Sequence, residues 1–188
     1  MRNLHVQLFK KTSRLIIRPL DVSDYENWVQ AYSSMKPPQN EWDETNWKKS
    51  ELTLKKYKEL LKIQGEQIAK DKFYDFGIFR KDDGVLLGDV RLMDVSRGVF
   101  QNAYLGYRIF NNFWGVGYAQ ESCNAVLQIA FQKLKLHRVE AGIAPTNKRS
   151  IKTAKNLGLR KEGLSLRRLW LRGQWVDVLI YAITKEEF

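Results

Sequence analysis

The sequence predicts a mixed α/β (α+β) sheet of about seven strands with four helices, folded as a single domain over residues 1–188. Three observations carry this reading. The hydrophobic period changes from helical in residues 51–70 to alternating in residues 73–110. A helical stripe over 117–135 then separates strands at 99–110 and 137–144, which makes those two strands a parallel crossover pair. Asp83-Gly84 and Arg172-Gly173 are turn signals, and each joins two alternating runs into an antiparallel hairpin.

In chain order, residues 14–20 read as a strand ended by Pro19. Ser23 is a plausible N-cap for a helix over 24–32, with Asp and Glu in its first turn. Residues 33–47 are irregular, with Pro37, Pro38, Trp42 and Trp47, and residues 51–70 form a polar, Lys-rich helix. Strands at 73–80 and 85–95 meet at Asp83-Gly84. The next, 99–110, is entered through Arg97-Gly98 and places Val99, Ala103, Leu105 and Ile109 on one face. Ala119, Cys123, Val126, Leu127, Ala130 and Leu134 recur at steps of three and four, so Cys123 is expected in the core rather than as a nucleophile. Pro145 stops the strand at 137–144, and a short helix over 150–157 ends at Gly158. Strands at 164–171 and 174–183 close the chain around Arg172-Gly173.

Residues 112–121 are the most informative stretch. Gly115 and Gly117 stand between the 99–110 strand and the long apolar-striped helix. Glycine lets backbone amides approach a ligand, and a helix start adds unpaired N–H groups and the positive end of its dipole. Strand, glycine loop and helix start together make a phosphate seat. No Lys-Ser/Thr pair follows the second glycine, so this is not a Walker A loop, and the third glycine of the dinucleotide fingerprint is missing.

The net charge is +11, and residues 99–188 hold 14 Lys/Arg against 6 Asp/Glu. The basic excess thus lies in the half with the glycine loop, which suits an anionic ligand or partner. No run of 18 apolar residues exists, so no membrane span is expected. The first residues lack an apolar leader, and one cysteine suits the cytoplasm. Cys123 and two histidines do not make a zinc site, and no metal is expected.

Four stretches resemble the GNAT superfamily of acetyl-CoA-dependent N-acetyltransferases. Leu105, Gly106, Tyr107, Arg108 and Ile109 resemble its Leu-Gly-Tyr-x-Ile strand. Asn112-x-x-Gly115-x-Gly117 resembles its pyrophosphate loop. Residues 137–141 followed by 145–150 resemble its next strand and helix. Leu157, Gly158, Leu159, Glu162 and Gly163 resemble its Leu-Gly-Phe-x-x-Glu-Gly signature. With Gly173, Gln174, Trp175 and Asp177, the pattern is similar to the RimJ/RimL branch, whose members acetylate N-terminal α-amines of ribosomal proteins.

The resemblance implies acetyl-CoA as cosubstrate and assigns roles. Gly115 and the amides of Val116, Gly117, Tyr118 and Ala119 would hold the pyrophosphate, with Asn112 beside them in place of the usual Gln or Arg. The pantetheine arm would pair near Tyr107 and Ile109 and reach Asn147 and Ser150, and a backbone N–H near Tyr107 would hold the oxyanion. Ser150 would approach the sulfur, and Asn147 doubles as a helix cap. The chain also departs from the family. Tyr104 stands where many members carry a basic Glu, Ala154 where many carry an acidic Tyr, and Leu169 where some RimL-type enzymes carry a Glu. Glu140 remains as a candidate base, although strand alternation can bury it or pair it with an Arg.

A missing base favours the N-terminal amine of a protein, ribosomal proteins included, as acceptor. The first alternative is a small amine (an antibiotic, polyamine or amino acid) held by Asp43, Glu44 and Glu51. The second is a non-enzymatic ribosome- or RNA-associated binder. A homodimer stays open.

Overall fold

The computed structural model describes residues 8–43 and 47–188. Its centre is one sheet of eight strands in the order β1-β2-β3-β4-β5-β6-β8-β7. The strands are β1 (Lys10–Lys11), β2 (Leu15–Arg18), β3 (Tyr74–Arg80), β4 (Leu86–Ser96), β5 (Asn102–Ile109), β6 (Arg138–Ile143), β7 (Arg160–Leu171) and β8 (Gln174–Thr184). The helices are α1 (Tyr25–Ser33), α2 (Leu54–Ala69), α3 (Tyr118–Gln128) and α4 (Lys148–Asn156). The strand beyond the expected seven is the two-residue β1, too short to show a period.

Every neighbouring pair is antiparallel except β5 with β6, the crossover that α3 spans. The apolar stripe of α3 buries Cys123, Val126 and Leu127 against Val90, Leu92, Ala103 and Leu105 of the sheet. A π turn over Ile129–Lys133 continues it and keeps Ala130 in the same core. The opposite face is covered by α1 and α2, where Trp28, Tyr32 and Tyr57 pack with Phe79, Leu86 and Phe110.

Several local readings are corrected. The turn before α1 is capped by Asp21, whose carboxylate accepts from Ser23 N–H at 2.8 Å, and not by Ser23. Asp24 is instead taken by Arg18 at 2.6 Å. Thr53 caps α2 and so starts it later than expected. β5 begins at Asn102, and Val99 is 95% exposed rather than on the core face, because Gly98 and Gln101, both at positive φ, turn the chain before pairing starts. Arg172 and Gly173 both have positive φ, as a type I′ hairpin turn requires. Among the described residues, no helix is long and apolar enough to cross a membrane.

Candidate active site

β5 and β6 pair only from Asn102 with Arg138 to Tyr104 with Glu140, and then diverge. A slot of about 210 Å³ opens where they part. Leu105 and Tyr107 form one wall, and Ala141 and Ile143 the other. Asn147 and Ser150 of α4 add polar groups to the lining, and Trp42, Leu169 and Leu171 join it from other segments. No Asp or Glu lines the slot among the described residues.

Pairing parity aims backbone groups into this slot. The Phe110 N–H bonds Leu87 O at 2.8 Å, and Gly88 lies opposite Ile109. Antiparallel pairs alternate, so the main-chain groups of Ile109 and Tyr107 lie on the other edge, toward β6. The Ile109 carbonyl is already engaged, accepting from the Trp114 indole N–H at 2.6 Å. Arg149 of α4 stacks over that indole at 3.8 Å and so ties the glycine loop to α4. Trp114 was not singled out from the sequence, because it fills a variable position of the loop motif.

The glycine loop has the form expected of it. Gly115 and Gly117 lie in the left-handed region at φ 86° and 85°. Gly117 is the N-cap of α3, and no side chain caps that helix. The first-turn amides of α3 have no intrahelical partner and face the exposed loop. Arg14 of the β1–β2 turn buttresses them. Its Nη1 donates to Val116 O at 3.0 Å, and its Nε to Glu121 at 2.7 Å. Glu121 also accepts from Thr12 Oγ1 and from the Arg14 N–H, which holds its carboxyl below the ordinary range despite partial burial. This clamp joins residues 107 apart in sequence, and no short motif announces it.

Asn147 and Ser150 open α4 as its cap and a first-turn residue. Asn147 Oδ1 accepts from Ser150 N–H at 3.1 Å, so it caps the helix and leaves its NH₂ for another partner. The Tyr107 hydroxyl donates to Ser150 Oγ at 3.2 Å. Burial raises the Tyr107 phenol, so it stays protonated in that role. Ser150 therefore keeps its own O–H hydrogen to direct into the slot.

Two expected site residues point elsewhere. Glu140 accepts from Arg138 Nε at 2.9 Å and Asn102 Nδ2 at 3.3 Å and is not part of the slot lining. Asn112 turns its Nδ2 toward Ser34 Oγ, 3.5 Å away, because the short 3₁₀ turn over Asn111–Phe113 packs against the end of α1. Cys123 is fully buried and its thiol is pushed up by desolvation, which leaves it inert packing. Of the carboxylates named for a small cationic amine, Asp43 accepts from Asn111 and Gln39. Glu51 accepts from Lys48 N–H, and Glu44 lies outside the described residues.

A strand, a left-handed glycine loop and an uncapped helix beside a split parallel pair define the class of acyl transferases resembled above. Residues 14–160 match the acetyltransferase (GNAT) domain, and the chain belongs to that family of N-acetyltransferases. It is 32% identical over 175 residues to the probable N-acetyltransferase YjcK of Bacillus subtilis, covering 92% of this chain and 95% of that protein. It is 34% identical over 116 residues to the [ribosomal protein uS5]-alanine N-acetyltransferase of Escherichia coli, covering 62% and 59%. Mycobacterium smegmatis RimJ in complex with CoA-disulfide superposes with a TM-score of 0.78 at 25% identity, covering 93% of this chain and 83% of that one.

Proposed function

We infer that this enzyme transfers acetyl from acetyl-CoA to the N-terminal α-amine of a protein or peptide, a ribosomal protein being one candidate. One observation carries the reading: the slot is lined by Tyr107, Asn147 and Ser150 together with mainly apolar side chains, with no carboxylate among the described lining residues. Acetyl-CoA supplies the activated acyl group and a thiolate leaving group. The loop amides from Val116 to Ala119 hold its pyrophosphate, and Gly117 leaves room for that approach. The Asn147 NH₂ holds the pantetheine arm. The Tyr107 N–H faces the position where the thioester carbonyl gains negative charge. Ser150 passes its hydroxyl proton to the departing sulfur as its oxygen takes up the proton that the attacking amine sheds, oriented for that by the hydrogen bond from Tyr107.

The lack of a carboxylate base among the described lining residues favours one class of acceptor. An α-amine has a pKa near 7.8 and a Lys side chain one near 10.4, so deprotonation at pH 7.4 costs about 0.5 against about 4 kcal/mol. The described lining also offers no carboxylate as the counter-charge that a polyamine needs. The relatives named for uS5 alanine and the RimJ structure support the same direction. The test uses two peptides that each contain a lysine, one with a free and one with a blocked N-terminus, with acetyl-CoA and a free-thiol readout. Acetylation of the free N-terminus alone is expected. Modification of lysine in the blocked peptide, or of neither peptide, rejects this acceptor.

A further inference from the structure

Beside the slot lies a cation that the proposed chemistry does not use. The β7–β8 register runs from Ser165 opposite Val178 to Leu169 opposite Val176, so β7 bulges over residues 166–168. Arg167 sits at φ 48°, and its N–H donates to Asp177 Oδ1 at 2.7 Å. A non-glycine residue in that region has a cost, and here a specific hydrogen bond holds it. The result is the aim of the next side chain, as bulges often serve. Arg168 Nη2 reaches across and donates to Tyr104 Oη at 2.6 Å.

The two partners are strand neighbours of slot-lining residues and are not themselves part of the lining. Arg168 precedes Leu169 and Tyr104 precedes Leu105, and both leucines line the slot. Tyr104 points away from the α3 face, to which its neighbours Ala103 and Leu105 belong. The guanidinium therefore lies beside the mouth on the side opposite the first-turn amides of α3. Two arginines on neighbouring strands are neutralised: Arg138 by Glu140 and Glu162, and Arg108 by Asp89. Arg168 has no carboxylate within ion-pair distance among the described residues, and it is exposed.

We propose that Arg168 and Tyr104 form a carboxylate receptor that selects acceptor amines carrying an acidic group a few bonds from the reacting nitrogen, such as a protein N-terminus followed by Asp or Glu. This rests on the N-terminal acceptor reading above. Arg168 has further N–H donors in the planar fork that matches a carboxylate. The Tyr104 hydroxyl accepts from Arg168 and so has its own hydrogen to give to the same oxygen pair. An acceptor with a second positive charge meets an unneutralised guanidinium instead.

The test compares peptides identical except for Glu, Gln or Lys at position 2, each with a free N-terminus, at saturating acetyl-CoA. The same carboxylate chemistry is available from the α-carboxylate of a free amino acid, so free glutamate is a fourth acceptor. The wild type is expected to favour the Glu over the Gln peptide in kcat/KM by about tenfold, the scale of one charge-assisted hydrogen bond. High salt should shrink the ratio. Arg168→Met should bring it near one, and Arg168→Glu should invert the order so that the Lys peptide leads. A wild-type ratio within twofold, or a ratio that survives in Arg168→Met, overturns the receptor. Arg168-dependent acetylation of free glutamate without any peptide keeps the receptor and overturns the peptide acceptor. No acetylation of any of the four overturns both.

Discussion

The two faces of the sheet are made in different ways. Against α3 the sheet is apolar, and its ligand-facing groups are main-chain amides presented by glycines at fixed φ. Against α1 and α2 the same strands carry Asp75, Asp89, Arg91 and Arg108, with Tyr32 and Gln64 of the helices bonded into them. On the proposed reading, the first face handles a cosubstrate that is the same in every turnover. A backbone seat suits it, because amides need no particular side chain. On the same reading, the second face leads to the acceptor, near Trp42, Leu169 and Arg168 from distant segments. There side chains set the chemistry, and they can change without disturbing the seat.

Replacing Gly117 with Val is expected to separate the faces most sharply. Val at φ 85° is strained, and its branches reach toward Arg14, whose Nη2 lies 3.6 Å from the new Cβ. They also stand where the pyrophosphate must approach. Acetyl-CoA affinity should fall roughly 100-fold, a loss of about 2.7 kcal/mol. Calorimetry reads this directly, and equal binding by the two proteins means the loop is not the seat.

Ser150→Ala tests the junction of the faces. CoA thiol resembles cysteine, with a pKa of about 8.5, so the thiolate already leaves fairly well. The kcat should drop roughly 10- to 100-fold, below the upper range for general acid catalysis. The cap of α4 uses the Ser150 backbone N–H and the Asn147 side chain, so stability should hold in Ser150→Ala and fall by about 1 kcal/mol in Asn147→Ala. Urea unfolding and saturated rates on the same two variants distinguish catalysis from capping. A kcat within twofold of wild type removes Ser150 from the mechanism.

Trp42→Ala should act on the acceptor alone. The indole lines the slot from the segment between α1 and α2, and Arg172 stacks near it at 5.7 Å. The acceptor KM should rise about tenfold, the scale of one lost aromatic contact, while acetyl-CoA binding stays within twofold. A parallel loss of acetyl-CoA affinity would show that the two ends are not independent.

That division also explains what the sequence could disclose. The β5–loop–α3 junction was legible because glycines at left-handed φ, a strand period and a helix period coincide within about twenty residues. Asn147 and Ser150 were legible because a helix start restricts its own residue types. The Arg14–Glu121 clamp, the Trp114–Ile109 bond and the Arg168–Tyr104 contact were not, since each joins segments whose proximity only the folded sheet creates. Asn112 was placed by its motif position, but packing of the 3₁₀ turn on α1 decides where its side chain points. Glu140 shows the reverse case: strand alternation already allowed for an Arg partner, and Arg138 is it.

The smallest expected effect probes the charged face on its own. Asp75 is held near Asp89 in a largely desolvated site, with Arg91 at 3.5 Å and Gln64 Nε2 at 2.9 Å. Burial first, and the Asp89 charge second, push its carboxyl up from 3.8 to about 6. The folded state therefore prefers the protonated form more than the unfolded chain does. That preference stabilises fully below pH 3.8 and is lost as pH rises through about 6. Asn at this position resembles the protonated acid and does not titrate. Relative to wild type, Asp75→Asn should thus gain about 1 kcal/mol of stability between pH 5 and pH 7.5, the window that spans the folded value. The difference between the two proteins is the quantity to follow, since carboxylates remote from Asp75 titrate equally in both. Urea unfolding at the two pH values measures it. A difference that does not change with pH, or that favours wild type as pH rises, would mean that Asp75 is ionised throughout and that Arg91 outweighs both burial and Asp89.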